Sequence, residues 1–258
     1  MQPDSAENGS HTRESRMMGG RARLIQPVRG YRAGMDAALL AAAVVVKPGQ
    51  SALELGCGAG AALVQAALRN PGARLTGIER DPAALALAND NLALNDLAAL
   101  VDVRGGDVAH GFRALGLDRL DAAFANPPFF DNPPELRGPA PERAGAWLAD
   151  DGLAAWLDFL IDAVKDGGQI VLVHRADRLG DILSGLAPKT GPRAGSVRIR
   201  PIQPYADQPA KRVLVRAIRG GRAPLVLLPA LVLHDRSGAK HTPEADAILR
   251  GDAALGWS

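Results

Sequence analysis

Between residues 51 and 175 short apolar runs alternate with stretches of helical periodicity. The runs predict strands over Ser51–Leu55, Arg74–Glu79, Val101–Arg104, Asp121–Ala125 and Gln169–His174. The periodic stretches predict helices over Asp36–Val46, Ala61–Arg69, Pro82–Leu94, Gly152–Lys165 and Ala176–Leu186, with Pro82 in a first turn and Gly167 just past an end. Apolar strands separated by helices must be covered on both faces, so the expected architecture is a doubly wound, mostly parallel α/β sheet. Val197–Ile202 and Arg212–Ile218 follow without a clear helix between them, which predicts a seven-stranded sheet closed by an antiparallel hairpin whose loop carries Pro204, Asp207 and Pro209. A second short pair, Leu225–Leu228 and Ala230–His234, precedes a small helix capped by Thr242, opened by Pro243 and stopped at Gly251. The expected organisation is a flexible leader over 1–18, the main domain over 19–222, and a C-terminal hairpin and helix over 223–258 packed on it.

Composition narrows the function classes. A chain of 258 residues, 47% apolar and 22% charged, can bury one large core. Its one cysteine, Cys57, can form no intramolecular disulfide and no thiolate zinc site, which suits a packing role in a reducing cytoplasm. The polar N-terminus lacks signal-peptide order, and the longest apolar run, 37–46, is too short to cross a bilayer, so a soluble protein is expected. No His, Asp or Cys cluster has metal-ligand spacing. Net charge is +2 but unevenly spread: residues 13–32 carry six arginines against Glu14, and 189–222 carry nine Lys or Arg against Asp207. Two basic flanks suit a phosphate-rich partner such as RNA, or they solubilise exposed loops; both readings stand at this point.

The first predicted strand runs into Gly56-Cys57-Gly58-Ala59-Gly60 and then a helix, which places a tight glycine turn where open α/β sheets bind ligands. Such a turn serves NAD, FAD or S-adenosylmethionine equally, or is merely structural. Glu79 ends the second strand 25 positions after Glu54, the spacing at which an acid accepts from both ribose hydroxyls. Asp107, after the third strand, suits an adenine amino group; a surface acid and a helix cap are the alternatives for the pair. Glu54, Gly56, Gly58, Gly60, Glu79 and Asp107 together resemble the class I S-adenosylmethionine-dependent methyltransferases. The resemblance implies S-adenosylmethionine as cofactor, with Glu54 orienting its methionine end.

Strand four delivers Asn126-Pro127-Pro128-Phe129 to the same edge, 19 residues after Asp107. An exocyclic amine is a poor nucleophile, and acceptors on both its N–H bonds favour a pyramidal nitrogen; Asn126 Oδ1 and the Pro127 carbonyl suit that role. The two prolines hold the turn rigid and supply no N–H, while Phe129 offers a stacking face for a flipped base. The tetrapeptide resembles the signature of amino-methyltransferases acting on adenine, cytosine, guanine or a protein glutamine amide. Residues 20–41, including Gln26-Pro27, Gly30-Tyr31-Arg32, Gly34, Asp36 and Leu39-Leu40-Ala41, resemble the bacterial adenine-N6 methyltransferases of valine transfer RNA, as do 210–215 and 231–234. That resemblance implies an RNA partner, most specifically a transfer-RNA anticodon loop. Tyr31 and Arg32, just before the first helix, suit covering the cofactor or stacking near the base, and Lys211 and Arg212 suit substrate phosphates; a packed aromatic for Tyr31 and a solvated edge for Lys211 and Arg212 are the alternatives. Ala33, where an aromatic residue is common, and the weakly basic 130–147 segment depart from the group. Methylation of DNA, ribosomal RNA or a protein glutamine, and a non-enzymatic RNA-binding module, are the competing expectations.

Overall fold

The computed structural model describes residues 12–28, 34–128, 152–187, 193–236 and 238–258. In chain order the elements are β1 (Thr12–Met17), β2 (Ala22–Pro27), α1 (Met35–Ala43), β3 (Ser51–Leu55), α2 (Ala61–Arg69), β4 (Arg74–Glu79), α3 (Pro82–Leu94), β5 (Val101–Gly105), β6 (Leu120–Ala125), α4 (Leu153–Ala163), β7 (Val164–Arg175), α5 (Leu179–Leu186), β8 (Ala194–Gln203), β9 (Arg212–Arg219), β10 (Val226–Leu227), β11 (Leu231–Val232) and α6 (Pro243–Arg250). The main sheet has nine strands in the order β10-β8-β9-β7-β6-β3-β4-β5, with β11 also paired to β8. Strands β5, β4, β3, β6 and β7 run parallel; β9 is antiparallel to β7 and to β8. The expected seven-stranded sheet and its antiparallel closure are therefore present, with two short strands added outside.

Strand residues alternate between two cores, as the period of two requires. Ala52, Leu75, Ala122, Phe124, Val171 and Leu214 pack with α1, α2 and α6, whereas Leu53, Leu55, Ile78, Ala123, Ile170 and Val215 pack with α4 and α5. Helices α2 and α3 keep the bounds that their periodicity predicts. Asp81 caps α3 by accepting from Ala83 N–H, and Thr242 caps α6 by accepting from Ala245 N–H.

Several expectations need correction. Residues 12–17 of the expected leader form β1, which pairs with β2 in a two-stranded antiparallel hairpin; residues 1–11 lie outside the described chain. The C-terminal hairpin is absent: β10 and β11 each lie parallel to β8 and do not pair with each other. Pro229 between them has no N–H, and the open edge of β8 takes the donors instead, Leu228 N–H reaching Ile199 O at 2.8 Å and Leu233 N–H reaching Gln203 O at 2.9 Å. Helix α1 stops at Ala43 because Val44 is extended and the Asn70 carboxamide holds the β-branched run, accepting from Val46 N–H at 2.7 Å and donating to Val44 O at 3.2 Å. Helix α4 stops at Ala163, so Lys165 is not helical, and Gly167 (φ +80°) lies within β7, where the pairing with β6 shifts register between Leu120 and Ala122.

Candidate functional site

Four adjacent strands end level. Gly105 lies opposite Glu79, Ile78 opposite Leu55, and Leu55 opposite Ala125. The residues that follow, Gly106-Asp107, Arg80, Gly56 and Asn126, are therefore delivered to one edge of the sheet, and the alternation that buries Leu53 and Leu55 is what aims the turns there.

The glycine turn is built from backbone. Gly56, Gly58 and Gly60 have φ of +68°, +55° and +80°, a region that L side chains enter only at a cost. Gly56 and Cys57 N–H both donate to Ile78 O, at 2.8 and 3.0 Å, and Gly60 N–H closes the turn on Cys57 O at 2.8 Å. A Cβ on Gly56 would sit 2.5 Å from Trp156 Cη2, whereas one on Gly58 would meet nothing within 4 Å. The turn is thus backed by an indole on one side and open at Gly58, the shape of a cradle. Glu79 holds it: Oε2 accepts from Gly58 N–H at 2.8 Å, and Oε1 accepts from Arg80 and Asp81 N–H at 2.8 and 2.9 Å.

Beneath the turn lies Glu54, only 3% exposed. Burial, and then the charge of Glu79, push its pKa well above the usual carboxylate range, opposed by a hydrogen bond from Leu63 N–H in the first turn of α2. Its Oε2 has no hydrogen-bond partner among the described residues. A buried carboxyl oxygen left without a donor is complementary to an ammonium group, so the acid, the turn and the opening at Gly58 fit a nucleoside that bears a free amino-acid group, such as S-adenosylmethionine. Cys57 is no nucleophile: burial and the charges of Glu54 and Glu79 push its thiol well up, and its sulfur packs where a Cβ on Gly77 would lie 2.8 Å away.

Asp107 caps a short 3₁₀ turn, Oδ1 accepting from Ala109 N–H at 3.0 Å, while Oδ2 faces Arg80 Nη1 at 3.9 Å. Asn126 is half-buried with Oδ1 shielded from solvent; Pro127 is buried and Pro128 exposed. Phe129, Tyr31 and Arg32 lie outside the described residues. Strand register brings Lys211 and Arg212 to the same edge, since Arg175 and Ile202 both lie opposite Arg212. Lys211 is exposed, but Arg212 is engaged within the protein, Nε on Asp36 Oδ2 and Nη1 on Lys211 O, both at 3.1 Å. It ties α1 to β9.

Two residues without a counterpart in the sequence expectation connect the N-terminal hairpin to the turn. Fully buried Asn91 accepts from Ile25 N–H at 2.6 Å and donates to Ile25 O at 2.9 Å and Ala59 O at 2.8 Å. Asn95, one turn later, accepts from Arg23 N–H at 2.9 Å and donates to Arg23 O at 2.7 Å. The pair replaces a neighbouring strand for β2 and ties it to Ala59 of the glycine turn. Asn91 inside a helix, where its propensity is poor, and Asn95 four residues on at the helix's end were the available signal.

The chain is similar to several known proteins. The profile of the methyltransferase small domain matches residues 32–136. A curated protein of Actinobacillus succinogenes, named tRNA1(Val) (adenine(37)-N6)-methyltransferase, is 30% identical over 57% of this chain and 62% of its own length. One of Dickeya chrysanthemi with the same name is 29% identical over 74% of each chain. The chain thus spans about three-fifths to three-quarters of these relatives. A solved structure from Agrobacterium tumefaciens, described as a predicted O-methyltransferase, superposes with a TM-score of 0.69 at 28% identity, covering 85% of this chain and 98% of that one.

Proposed function

We propose that this chain, whose residues 32–136 match the methyltransferase small domain, is a class I S-adenosylmethionine-dependent methyltransferase that acts on the N6 amino group of an adenine in RNA, at a transfer-RNA anticodon loop. The observation that carries this reading is the delivery of Gly56, Glu79, Asp107 and Asn126 to one edge by four strands in register. Relatives bearing the transfer-RNA name support the substrate.

When bound, S-adenosylmethionine supplies an electrophilic methyl group. Glu54 Oε2 would hold the ammonium of its methionine end, the opening at Gly58 would admit it, and Glu79 and Asp107 would hold the ribose hydroxyls and the adenine amine. Asn126 Oδ1 and the Pro127 carbonyl accept the two N–H bonds of the substrate amine, so that its lone pair points along the transfer direction. No general base is needed before transfer, because the proton leaves from a cationic nitrogen afterwards. Tyr31, Arg32 and Phe129 are assigned to covering the cofactor, the substrate phosphate and base stacking, and Lys211 to phosphate.

The test is nucleoside mass spectrometry of transfer RNA incubated with the protein and methyl-labelled cofactor. N6-methyladenosine carrying the label is the expected product. Label on a ribose oxygen, on another base or in added protein substrate overturns the assignment.

A further inference from the structure

We propose that the cavity between Tyr205, His234 and Arg236 is a second nucleotide subsite, taking the base and phosphate of an unpaired RNA residue a few positions from the methylated one. The proposal rests on the RNA reading above and adds to it a site away from the cofactor. The cavity has a volume of about 460 Å³ and is lined by Tyr205, Asp207, Val232, His234, Arg236 and Thr242 among others. That is ample for one planar base with its sugar.

Its position follows from the sheet. Ile202 near the end of β8 lies opposite Arg212, the first residue of β9, and Arg212 opposite Arg175, the last of β7. Ala125 lies opposite Leu172. The loop after β8 and the segment after β11 therefore leave the sheet at the same edge as Asn126, three to four strands away. At ~4.8 Å between strands that is roughly 14–19 Å, a gap that a single strand crosses in a few nucleotides.

The lining has the chemistry of single-strand recognition. The rings of His234 and His241 stack, with centroids 5.1 Å apart and planes 26° apart, and Tyr205 joins His234 at 5.5 Å. Arg236 places its guanidinium 5.1 Å over the Tyr205 ring. Among the described residues it bonds Asp207 through Nη2, at 2.9 and 3.1 Å, which leaves Nε and Nη1 for a phosphate. His234 Nδ1 lies 2.6 Å from Lys240 O, and a carbonyl only accepts, so Nδ1 carries a proton and Nε2 is the ring nitrogen that would meet a base. Exposed Lys211 and Lys240 add positive charge nearby. Docking of the tail does not account for the cluster, because Leu231, Ala245, Ile248, Leu255 and Trp257 already anchor it in the core. Tyr205 and His234 stay partly exposed around an open cavity instead. Aromatic faces with an arginine above them bind unpaired bases with little regard to sequence.

The experiment uses the full chain, unmodified transfer RNA and S-adenosylmethionine, with filter binding across a salt series. Tyr205→Ala is expected to weaken transfer-RNA binding about tenfold or more while cofactor affinity holds within twofold. Tyr205→Phe, which keeps the ring, is expected to retain affinity within about twofold. Arg236→Ala should lower the slope of log affinity against log salt by about one, while Arg119→Ala, at the opposite edge, should not. Wild-type affinity in both Tyr205→Ala and Arg236→Ala overturns the subsite, as does a loss in Tyr205→Phe equal to that in Tyr205→Ala. If unsubstituted protein neither binds nor methylates transfer RNA, the RNA reading itself fails, and the subsite with it.

Discussion

From β3 to β5 the edge of the sheet is lined by backbone: three left-handed glycines, a carbonyl of Ile78 taking two N–H donors, and a carboxylate of Glu79 taking three. From β7 to β11 the same edge is lined by side chains, with Arg212 on Asp36, Arg236 on Asp207 and a Tyr205–His234–His241 stack. A backbone cradle suits a ligand that never changes, because its shape is set by φ and by absent side chains. A side-chain rim suits a large, charged partner whose register has to be read. Asn126 stands between the two, at the end of the strand that touches both β3 and β7.

Substitutions that act on one half only will sharpen this contrast. The largest effect is expected for Asn126→Ala: kcat falling by about 10²–10³-fold, with cofactor affinity unchanged within threefold, by single-turnover assay and calorimetric titration. Equal loss of both would make the residue part of the cradle. Gly58→Ala should do the reverse, weakening the cofactor at least about tenfold by filling open space, at a stability cost of about 1–2 kcal/mol for its positive φ. Retained cofactor affinity in that variant would move the ligand away from the turn.

Asn91→Ala tests the link between hairpin and cradle. It deletes three hydrogen bonds and strands Ile25 N–H, which is expected to cost about 3 kcal/mol, on the order of 6–12 °C in Tm. A melting point within 2 °C of wild type, as a rough limit, would show that the hairpin is held elsewhere. The smallest effect belongs to Glu54→Gln. Because folding raises the Glu54 pKa, its protonated form favours the native state below pH 4.5, and that contribution is lost as pH rises through the folded value. The Gln variant should therefore melt about 2–4 °C above wild type at pH 8, converge with it at pH 4, and bind the cofactor more weakly. A lower melting point at pH 8 would contradict the buried charge.

The same contrast explains what could be read from the sequence. The cradle is written in local spacing: Glu54 to Glu79, glycines at every second position, and an NPPF turn directly after a strand. The parallel strands were legible because burial on both faces leaves continuous apolar runs. Strand β1 was not, since Arg13, Glu14 and Arg16 face solvent and Glu14 is paired with Arg23 at 2.8 Å across the hairpin. Strands β10 and β11 are two residues each, and their partner is the edge of β8, which no local pattern announces. Capping was one of the alternatives for Asp107 and is what it does locally, whereas the bond from Gly58 N–H to Glu79 joins two turns 21 residues apart. Tyr205, His234 and His241 come together from three segments, so their stack has no spacing to detect.

The most direct measurement is a structure of the protein with S-adenosylhomocysteine and an adenine-containing oligonucleotide from the anticodon loop. The account predicts the adenine amino nitrogen about 3 Å from both Asn126 Oδ1 and the Pro127 carbonyl, with the cofactor's sulfur on the far side of that nitrogen and its methionine ammonium against Glu54. An Asn126 side chain turned into the core, or a base bound with its amine away from the cofactor, would contradict it.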